Sequence, residues 1–373
     1  MACDSGNSRS SPELDVTDQP ESIKAQNVVE SPTASIPTEV PEVTMPPEEA
    51  CEQGGNVRQC VEAHGFTGSV LVAKNWEVVF EDGFGLADNN TGRLNTPDTV
   101  FRIGSITKQF TAALVLSLQE DGLLSVDDSI DQYFPDFHDG DNITVHHLLT
   151  HTSGIWNYTD TPDLMALLQN PESGSEHVYS LFSERRPIFP AGATFMYSNS
   201  GYHLLGLIIE QVAGRPYEQL VQERIFQPLG MQSSGFGDDD FSEPDVALAY
   251  SDELGQLRYI NHNVPFAAGA LVSNVKDILK WDKALFEGEL LEPDSFTRMF
   301  TAGLGAYGYG WYIGDSYVHA GGISGFSAIN SYWADDGIVI VIMSNKPASP
   351  QAVESVSNDL YRMISTSGGP GGT

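Results

Sequence analysis

Phe101-Arg102-Ile103-Gly104-Ser105-Ile106-Thr107-Lys108-Gln109-Phe110-Thr111-Ala112-Ala113-Leu114-Val115-Leu116-Ser117-Leu118 is the stretch that decides how this chain is read. From Ser105 to Leu118 it is apolar nearly all round and stops near Asp121-Gly122, and a helix without a polar face is a buried helix. Ser105 and Lys108 stand three apart and so share a face. Lys108 is one of seven lysines in the chain, and Ala112 and Val115 continue its stripe. A lysine held there is desolvated, which lowers its pKa and makes the neutral amine available as a base. Ser105 opens the helix, where unpaired N–H groups and the positive dipole end favour an oxyanion. Taken alone, Ser-x-x-Lys reads equally as a serine cap followed by a snorkelling lysine.

On either side of this helix the pattern changes to strands. Ser69 to Ala73 and Val78 to Phe80 flank a turn at Lys74 to Trp76, which makes a hairpin. After residue 305, Tyr307 to Ile313, Ser316 to Ala320, Phe326 to Trp333 and Gly337 to Met343 alternate with Gly and Asp turns as a meander, and Gln351 to Ile364 reads as a last helix. Between the two strand regions lie helices such as Tyr202 to Val212, closed by Gly214, and Val275 to Phe286. The expected class is α+β: one antiparallel sheet built from both chain ends, flanked by helices, with a mostly helical insertion packed on it and a cleft between them.

The 373 residues carry 18 Lys plus Arg against 51 Asp plus Glu, a formal net charge of −33. Such a surface repels polyanions, which excludes nucleic-acid binding and disfavours an anionic membrane as partner for the body. No apolar run approaches the ~18 residues needed to span a bilayer. The first 50 residues hold ten acids against two bases and are crowded with Pro, Ser and Thr, a composition that cannot bury enough to order itself. The expected organisation is a disordered tether over 1–55, a folded domain over 56–366 and a flexible tail over 367–373.

All three cysteines, Cys3, Cys51 and Cys60, precede that domain. They read either as free thiols of a cytoplasmic protein or as a lipoprotein pattern. In the second reading Met1-Ala2-Cys3-Asp4 resembles the end of a bacterial lipoprotein signal, Cys3 carries the lipid, and Cys51 and Cys60 pair in an oxidising compartment. A coil of about 47 residues would then span roughly 35 to 40 Å, enough to hold the domain clear of a membrane in the cell envelope.

Two further constellations bear on chemistry. Tyr197-Ser198-Asn199 stands ahead of a helix and offers a phenol and a carboxamide two residues apart. His319-Ala320-Gly321-Gly322 follows a strand of the meander, where small residues let a substrate approach the backbone. In the order S-x-x-K, Y-x-N, H-x-G the chain resembles the serine penicillin-recognising hydrolases: class C β-lactamases, D-alanyl-D-alanine carboxypeptidases and related esterases. Leu148 to Gly154, Pro228 to Met231 and Ala268 to Ser273 resemble framing segments of the same family, over about residues 60 to 360.

The resemblance implies a β-lactamase/transpeptidase-like fold, no metal and no cofactor. It implies Ser105 as the acylated nucleophile, Lys108 as its proton partner and Tyr197 as general base or proton shuttle, its phenol pKa lowered by the neighbouring amine. Asn199, His319, Gly321 and Gly322 would bind substrate, and the backbone N–H groups of Ser105 and Gly322 would form the oxyanion hole. The expected partner is a small-molecule or peptide substrate, with membrane contact only through Cys3. Class C β-lactamases usually carry Lys where this chain has His319, and a histidine is only partly charged near neutral pH. The class A S-D-N element is replaced by Tyr197-Ser198-Asn199, and G-x-S-x-G, the α/β-hydrolase elbow, does not occur.

The expected activity is therefore that of a D-alanyl-D-alanine carboxypeptidase or weak class C-like β-lactamase, with a small-ester carboxylesterase as alternative. A non-turnover penicillin or peptidoglycan sensor is the alternative of another class. His146, His147 and His151 lack ligand spacing for a metal, His151 reading as a turn residue. Asp238-Asp239-Asp240 reads as a solvated acidic loop. Trp156, Tyr158, Tyr307 and Trp311 line a cleft or fill the core.

Overall fold

The computed structural model of the protein describes residues 46–52, 55–237, 246–251, 255–257, 260–346 and 350–365. Cys3, most of the expected tether, the Asp238-Asp239-Asp240 loop and the 367–373 tail lie outside the described residues.

The main sheet has six antiparallel strands. In chain order they are β1 (Gly68–Lys74), β2 (Glu77–Phe84), β3 (Tyr312–Ile313), β4 (Tyr317–Ile323), β5 (Phe326–Trp333) and β6 (Ile338–Ser344). Their spatial order is β3-β4-β5-β6-β1-β2, so the C-terminal meander joins the N-terminal hairpin through β6 and β1. The hairpin turn places Asn75 at φ 51° and Trp76 at φ 67°. Two successive left-handed residues match the twist of the flanking strands.

β1 and β6 are apolar at nearly every position because the sheet is covered on both faces. Leu71, Ala73, Val339, Val341 and Met343 face the helical body, whereas Val70, Val72, Ile338, Ile340 and Ile342 face a second cluster. That second cluster is closed by helix α1 (Val57–Ala63), carrying Cys60 and Val61, and by the C-terminal helix Pro350–Ser365, carrying Val353, Val356 and Leu360. The result is three layers with two cores.

The described structure includes residues ahead of the expected boundary at residue 56. Pro47–Ala50 forms one helical turn, and Cys51 is joined to Cys60 by a disulfide that staples this turn to α1. His64 lies 2.9 Å from Asp359 of the C-terminal helix, tying the same corner to the last element of the fold.

On the other face lies the helical body, centred on α2 (Thr107–Glu120), with Phe110, Ala112, Leu114, Val115, Leu116 and Leu118 all buried. A short 3-10 turn, Gly104–Ile106, precedes it, so Ser105 sits on the turn and Lys108 in the first turn of the helix proper. α3 (Asn199–Ala213) packs across α2 and ends at Gly214 in the left-handed conformation; α4 (Val275–Phe286) backs α2 through a polar contact. There Gln109 Oε1 accepts from the Trp281 indole at 3.2 Å and from Asn330 at 3.3 Å, and Asn330 also donates to Asp282 at 2.7 Å. Burial raises the Asp282 carboxyl well above the usual range, which favours its neutral form.

Two expected boundaries shift. Tyr307 to Ile313 is a strand only at Tyr312–Ile313, because Gly310 takes φ +78° and the chain turns there. The His319-Ala320-Gly321-Gly322 segment lies inside β4 rather than after a strand. Among the described residues no helix is long and apolar enough to cross a membrane.

Candidate active site

The edge of β4 lies directly against the turn that carries Ser105. Gly104 has φ +51°, and a Cβ on it would come within 2.8 Å of Gly322 N. A Cβ on Gly321 would overlap the Ile103 carbonyl oxygen and lie 3.2 Å from Ser105 N. Glycine at these two positions is what lets strand and turn meet, with Gly322 N and Ser105 N both at the contact.

Lys108 is fully buried and makes three contacts through Nζ: Ser105 Oγ at 3.0 Å, Asn199 Oδ1 at 2.8 Å and the Ala268 carbonyl oxygen at 2.6 Å. Burial pushes its pKa well below 10.5. The two carbonyl-type oxygens can only accept, so they take the two N–H protons of a neutral amine. The Ser105 hydroxyl is the one neighbour able to donate to the remaining lone pair. Removing the amine's charge therefore completes the hydrogen bonding and aims its basic electrons at Ser105.

Tyr197 stands beside this pair, its ring centre 4.9 Å from Lys108 Nζ. Burial raises its pKa well above 10, with its hydrogen-bonding approach to Ser105 acting the other way. That approach falls short of hydrogen-bond geometry, and Tyr197 Oη has no partner among the described residues. The expectation of a phenol acidified by the lysine is thus corrected: desolvation dominates and the phenol stays protonated.

Asn199 holds Lys108 through Oδ1, while its Nδ2 donates to Thr159 Oγ1 at 3.2 Å and its backbone N–H to Asn157 Oδ1 at 3.0 Å. One amide proton remains for a substrate. His319, expected to bind substrate as a partly charged ring, sits differently. It is buried, its Nδ1 donates to the Ala320 carbonyl at 2.7 Å, and its Nε2 accepts from Tyr307 Oη at 2.9 Å. Burial holds its pKa down to about 3. Both ring nitrogens are occupied within the protein and the ring is neutral.

Several contributors escaped the sequence reading. Asn157, Thr159 and Ala268 cradle Asn199 and Lys108, and Tyr307, read as cleft or core, holds His319. His151 occupies the expected turn at φ 57°, yet its ring packs 4.2 Å from that of Tyr197. A non-glycine residue at positive φ is the kind of outlier that marks a functional position, but only coordinates reveal it. His146 and His147, which precede His151, are structural: His147 closes a capping box with Thr144, and His146 Nδ1 lies 2.7 Å from Tyr309 Oη. Trp311, Tyr158 and Tyr307 are buried, and Trp156 is half-buried beneath the Arg185 guanidinium. A surface cleft lined by Asp315, Trp333, Asp335, Asp336, Tyr361 and Arg362 opens beside the C-terminal helix and includes none of Ser105, Lys108 and Tyr197.

Comparison with known proteins places this geometry in a family. The β-lactamase family profile matches residues 55–358. PbpX of Bacillus subtilis (strain 168), whose name as a penicillin-binding protein is provisional, is 32% identical over 307 residues, covering 80% of this chain and 75% of that one. Teichoic acid D-alanine hydrolase of Staphylococcus aureus (strain MRSA252) is 27% identical over 308 residues, with the same two coverages. Among solved structures, a penicillin-binding protein from Bacillus halodurans superposes with a TM-score of 0.74 at 26% identity, covering 82% of this chain and all of that one. The D-amino acid amidase of Ochrobactrum anthropi SV3 complexed with D-phenylalanine gives 0.72 at 25% identity, covering 86% and 99%. A match over most of the chain, a relative above 30% identity and the shared fold together establish that this chain belongs to the β-lactamase family and is a hydrolase of the serine β-lactamase type.

Proposed function

We propose that the protein hydrolyses D-aminoacyl esters or amides through an acyl-enzyme on Ser105. The observation that carries the reaction type is the buried Lys108 amine 3.0 Å from Ser105 Oγ with two acceptor oxygens as its other partners, burial favouring its neutral form. Lys108 takes the Ser105 proton as Oγ bonds to the substrate carbonyl carbon. The resulting oxyanion is held by the N–H groups of Ser105 and Gly322. Tyr197, still protonated, passes its proton to the leaving oxygen or nitrogen and recovers one from the Lys108 ammonium. Water then releases the acyl group by the reverse route. Asn199 keeps one amide proton for the substrate while fixing the lysine.

The substrate class follows from His319. A neutral imidazole with both nitrogens occupied supplies no cation to grip a carboxylate, so substrates uncharged next to the scissile bond are favoured over C-terminal peptides and penicillins. The names of the teichoic acid D-alanine hydrolase and of the D-amino acid amidase support the D configuration. The second reading, a D-alanyl-D-alanine carboxypeptidase or weak β-lactamase, is supported by the penicillin-binding relatives.

One experiment separates them: release of D-alanine from its methyl ester and amide, and intact mass after benzylpenicillin, each beside Ser105→Ala. Ser105-dependent turnover of the D but not the L substrates, with a slow penicillin adduct at most, is the expected result. Rapid, long-lived acylation by penicillin without D-alanine release would favour the carboxypeptidase. Ester turnover blind to configuration would favour a carboxylesterase, and acylation without turnover of any substrate a sensor. Full activity in Ser105→Ala would remove the site assignment altogether.

We also propose display in the cell envelope through a lipid on Cys3. The Cys51–Cys60 bridge supports this, since such bonds persist in oxidising compartments. Fatty-acid labelling of the native precursor is expected to mark the wild type and not Cys3→Ser; an unlabelled, cytosolic wild type would sink the idea.

A further inference from the structure

Resting on the assignment of Tyr197 as proton carrier, we propose that His151 is a positioning residue that sets the Tyr197 ring beside Lys108 and Ser105. The phenol's own oxygen approaches Ser105 without full hydrogen-bond geometry, which is too little to fix the ring. The ring is instead placed by the backbone that carries it and by what its face touches, and both lead to His151.

The His151 carbonyl oxygen accepts from Met196 N–H at 2.9 Å, and its Nδ1 accepts from Ser198 N–H at 3.1 Å. The residues on either side of Tyr197 thus hang from one histidine. The imidazole lies 4.2 Å from the Tyr197 ring at 34°, and it is held in turn by Tyr307 at 4.7 Å and Tyr202 at 5.1 Å. Only 1% of His151 is exposed, so water does not replace any of these contacts.

The three duties are incompatible in most other residues. The left-handed backbone at φ 57° is tolerated by glycine and asparagine but is costly for bulkier residues. Asparagine could also accept from Ser198 N–H, yet has no ring to lay against the phenol. Phenylalanine has the ring and lacks the acceptor. Histidine supplies both and, like asparagine, is one of the residues enriched at positive φ.

The test is hydrolysis of an alkyl ester, D-alanine methyl ester, whose alkoxide leaving group needs a proton, by the full chain, with kcat and KM measured for wild type, His151→Gly, His151→Asn, Tyr197→Phe and the two double variants. Glycine accepts φ 57° without strain, so His151→Gly removes ring and acceptor while sparing the turn. It is expected to lower kcat by about 30- to 100-fold, the scale of an ångström-sized misplacement, with KM within about threefold. His151→Asn keeps the acceptor for Ser198 N–H and lacks the ring, so it is expected to recover only part of that loss and to stay about tenfold below wild type. In the Tyr197→Phe background either histidine change should cost no more than about threefold, because residues that act as a unit are not additive.

An undiminished loss in the Tyr197→Phe background would overturn the proposal, since His151 would then act independently of the phenol. So would wild-type kcat in His151→Gly, or a rise in KM with kcat unchanged. Should His151→Gly fail to fold, the His151→Asn pair of measurements carries the same comparison. An unchanged kcat in Tyr197→Phe itself would overturn the site assignment on which the proposal stands, and is distinguishable because it involves no change at His151.

Discussion

Lys108→Met is expected to lower kcat for ester hydrolysis by about 10³-fold, within the range that a positioned general base contributes, and Lys108→Arg is expected to be no better. The second variant decides what the first cannot. If Lys108 worked as a fixed positive charge, a guanidinium would restore part of the rate; as a base it cannot, since arginine does not give up its proton in proteins. The observed contacts favour the base, because the amine has two pure acceptors and one hydroxyl around it. Steady-state kinetics of both variants, with folding checked by circular dichroism, makes the comparison, and a partly active Lys108→Arg would refute the base.

The pH dependence follows with a definite sign. Burial lowers the Lys108 pKa well below 10.5, so the active, deprotonated form appears at lower pH than for a free lysine. The acidic limb of kcat/KM should shift down accordingly. For stability, the unfolded chain binds the extra proton between the folded pKa and 10.5. Wild-type stability therefore rises with pH across that window and is lost as pH falls through the folded value. Lys108→Met lacks this contribution, so the difference in denaturation midpoint between the two proteins should change with pH, favouring wild type progressively more as pH rises. A difference flat in pH would mean that the lysine is not desolvated.

The parts of the fold legible in the sequence were those written in periodicity. The Ser105 to Leu118 run was legible because burial on all sides demands apolar residues on all sides, and β1 and β6 because strands covered on both faces are apolar at nearly every position. Ser105 and Lys108 could be paired because three residues on a helix fix a shared face. What sequence left hidden depends on depth and on approach between distant segments. His319 was read as a weakened cation, but burial decides its charge, and burial comes from Tyr307 and its neighbours. The direction of the Tyr197 shift was misread for the same reason: the lysine's proximity was foreseeable, the stronger desolvation was not. His151 was placed correctly in a turn, whereas the orientation of its ring toward a residue 46 positions later has no local signal. The segment from Tyr307 to Ile313 looked like a strand because alternation survives where the chain bends at glycine.

Gly321→Ala is expected to reduce kcat/KM by about 10²- to 10³-fold, the cost of losing an oxyanion donor, while Gly322→Ala leaves activity within about tenfold of wild type. The two glycines are neighbours on one strand and point to opposite sides of the sheet. At Gly321 the added methyl group would collide with the Ile103 carbonyl oxygen, which is backbone and cannot rotate aside. Strand and turn would have to separate, carrying Gly322 N away from Ser105 N, and overpacking of this kind costs ~1–3 kcal/mol of stability as well. At Gly322 a Cβ meets nothing within 4 Å, and alanine keeps the backbone N–H that the reaction needs. Ester kinetics, thermal unfolding and the rate of Ser105 acylation, measured on both variants, test the contrast. A folded Gly321→Ala enzyme with wild-type acylation would show that the spacing of strand and turn does not form the oxyanion site. Equal damage in Gly322→Ala would instead point to a substrate that lies against the open face of the strand, where the new methyl group projects.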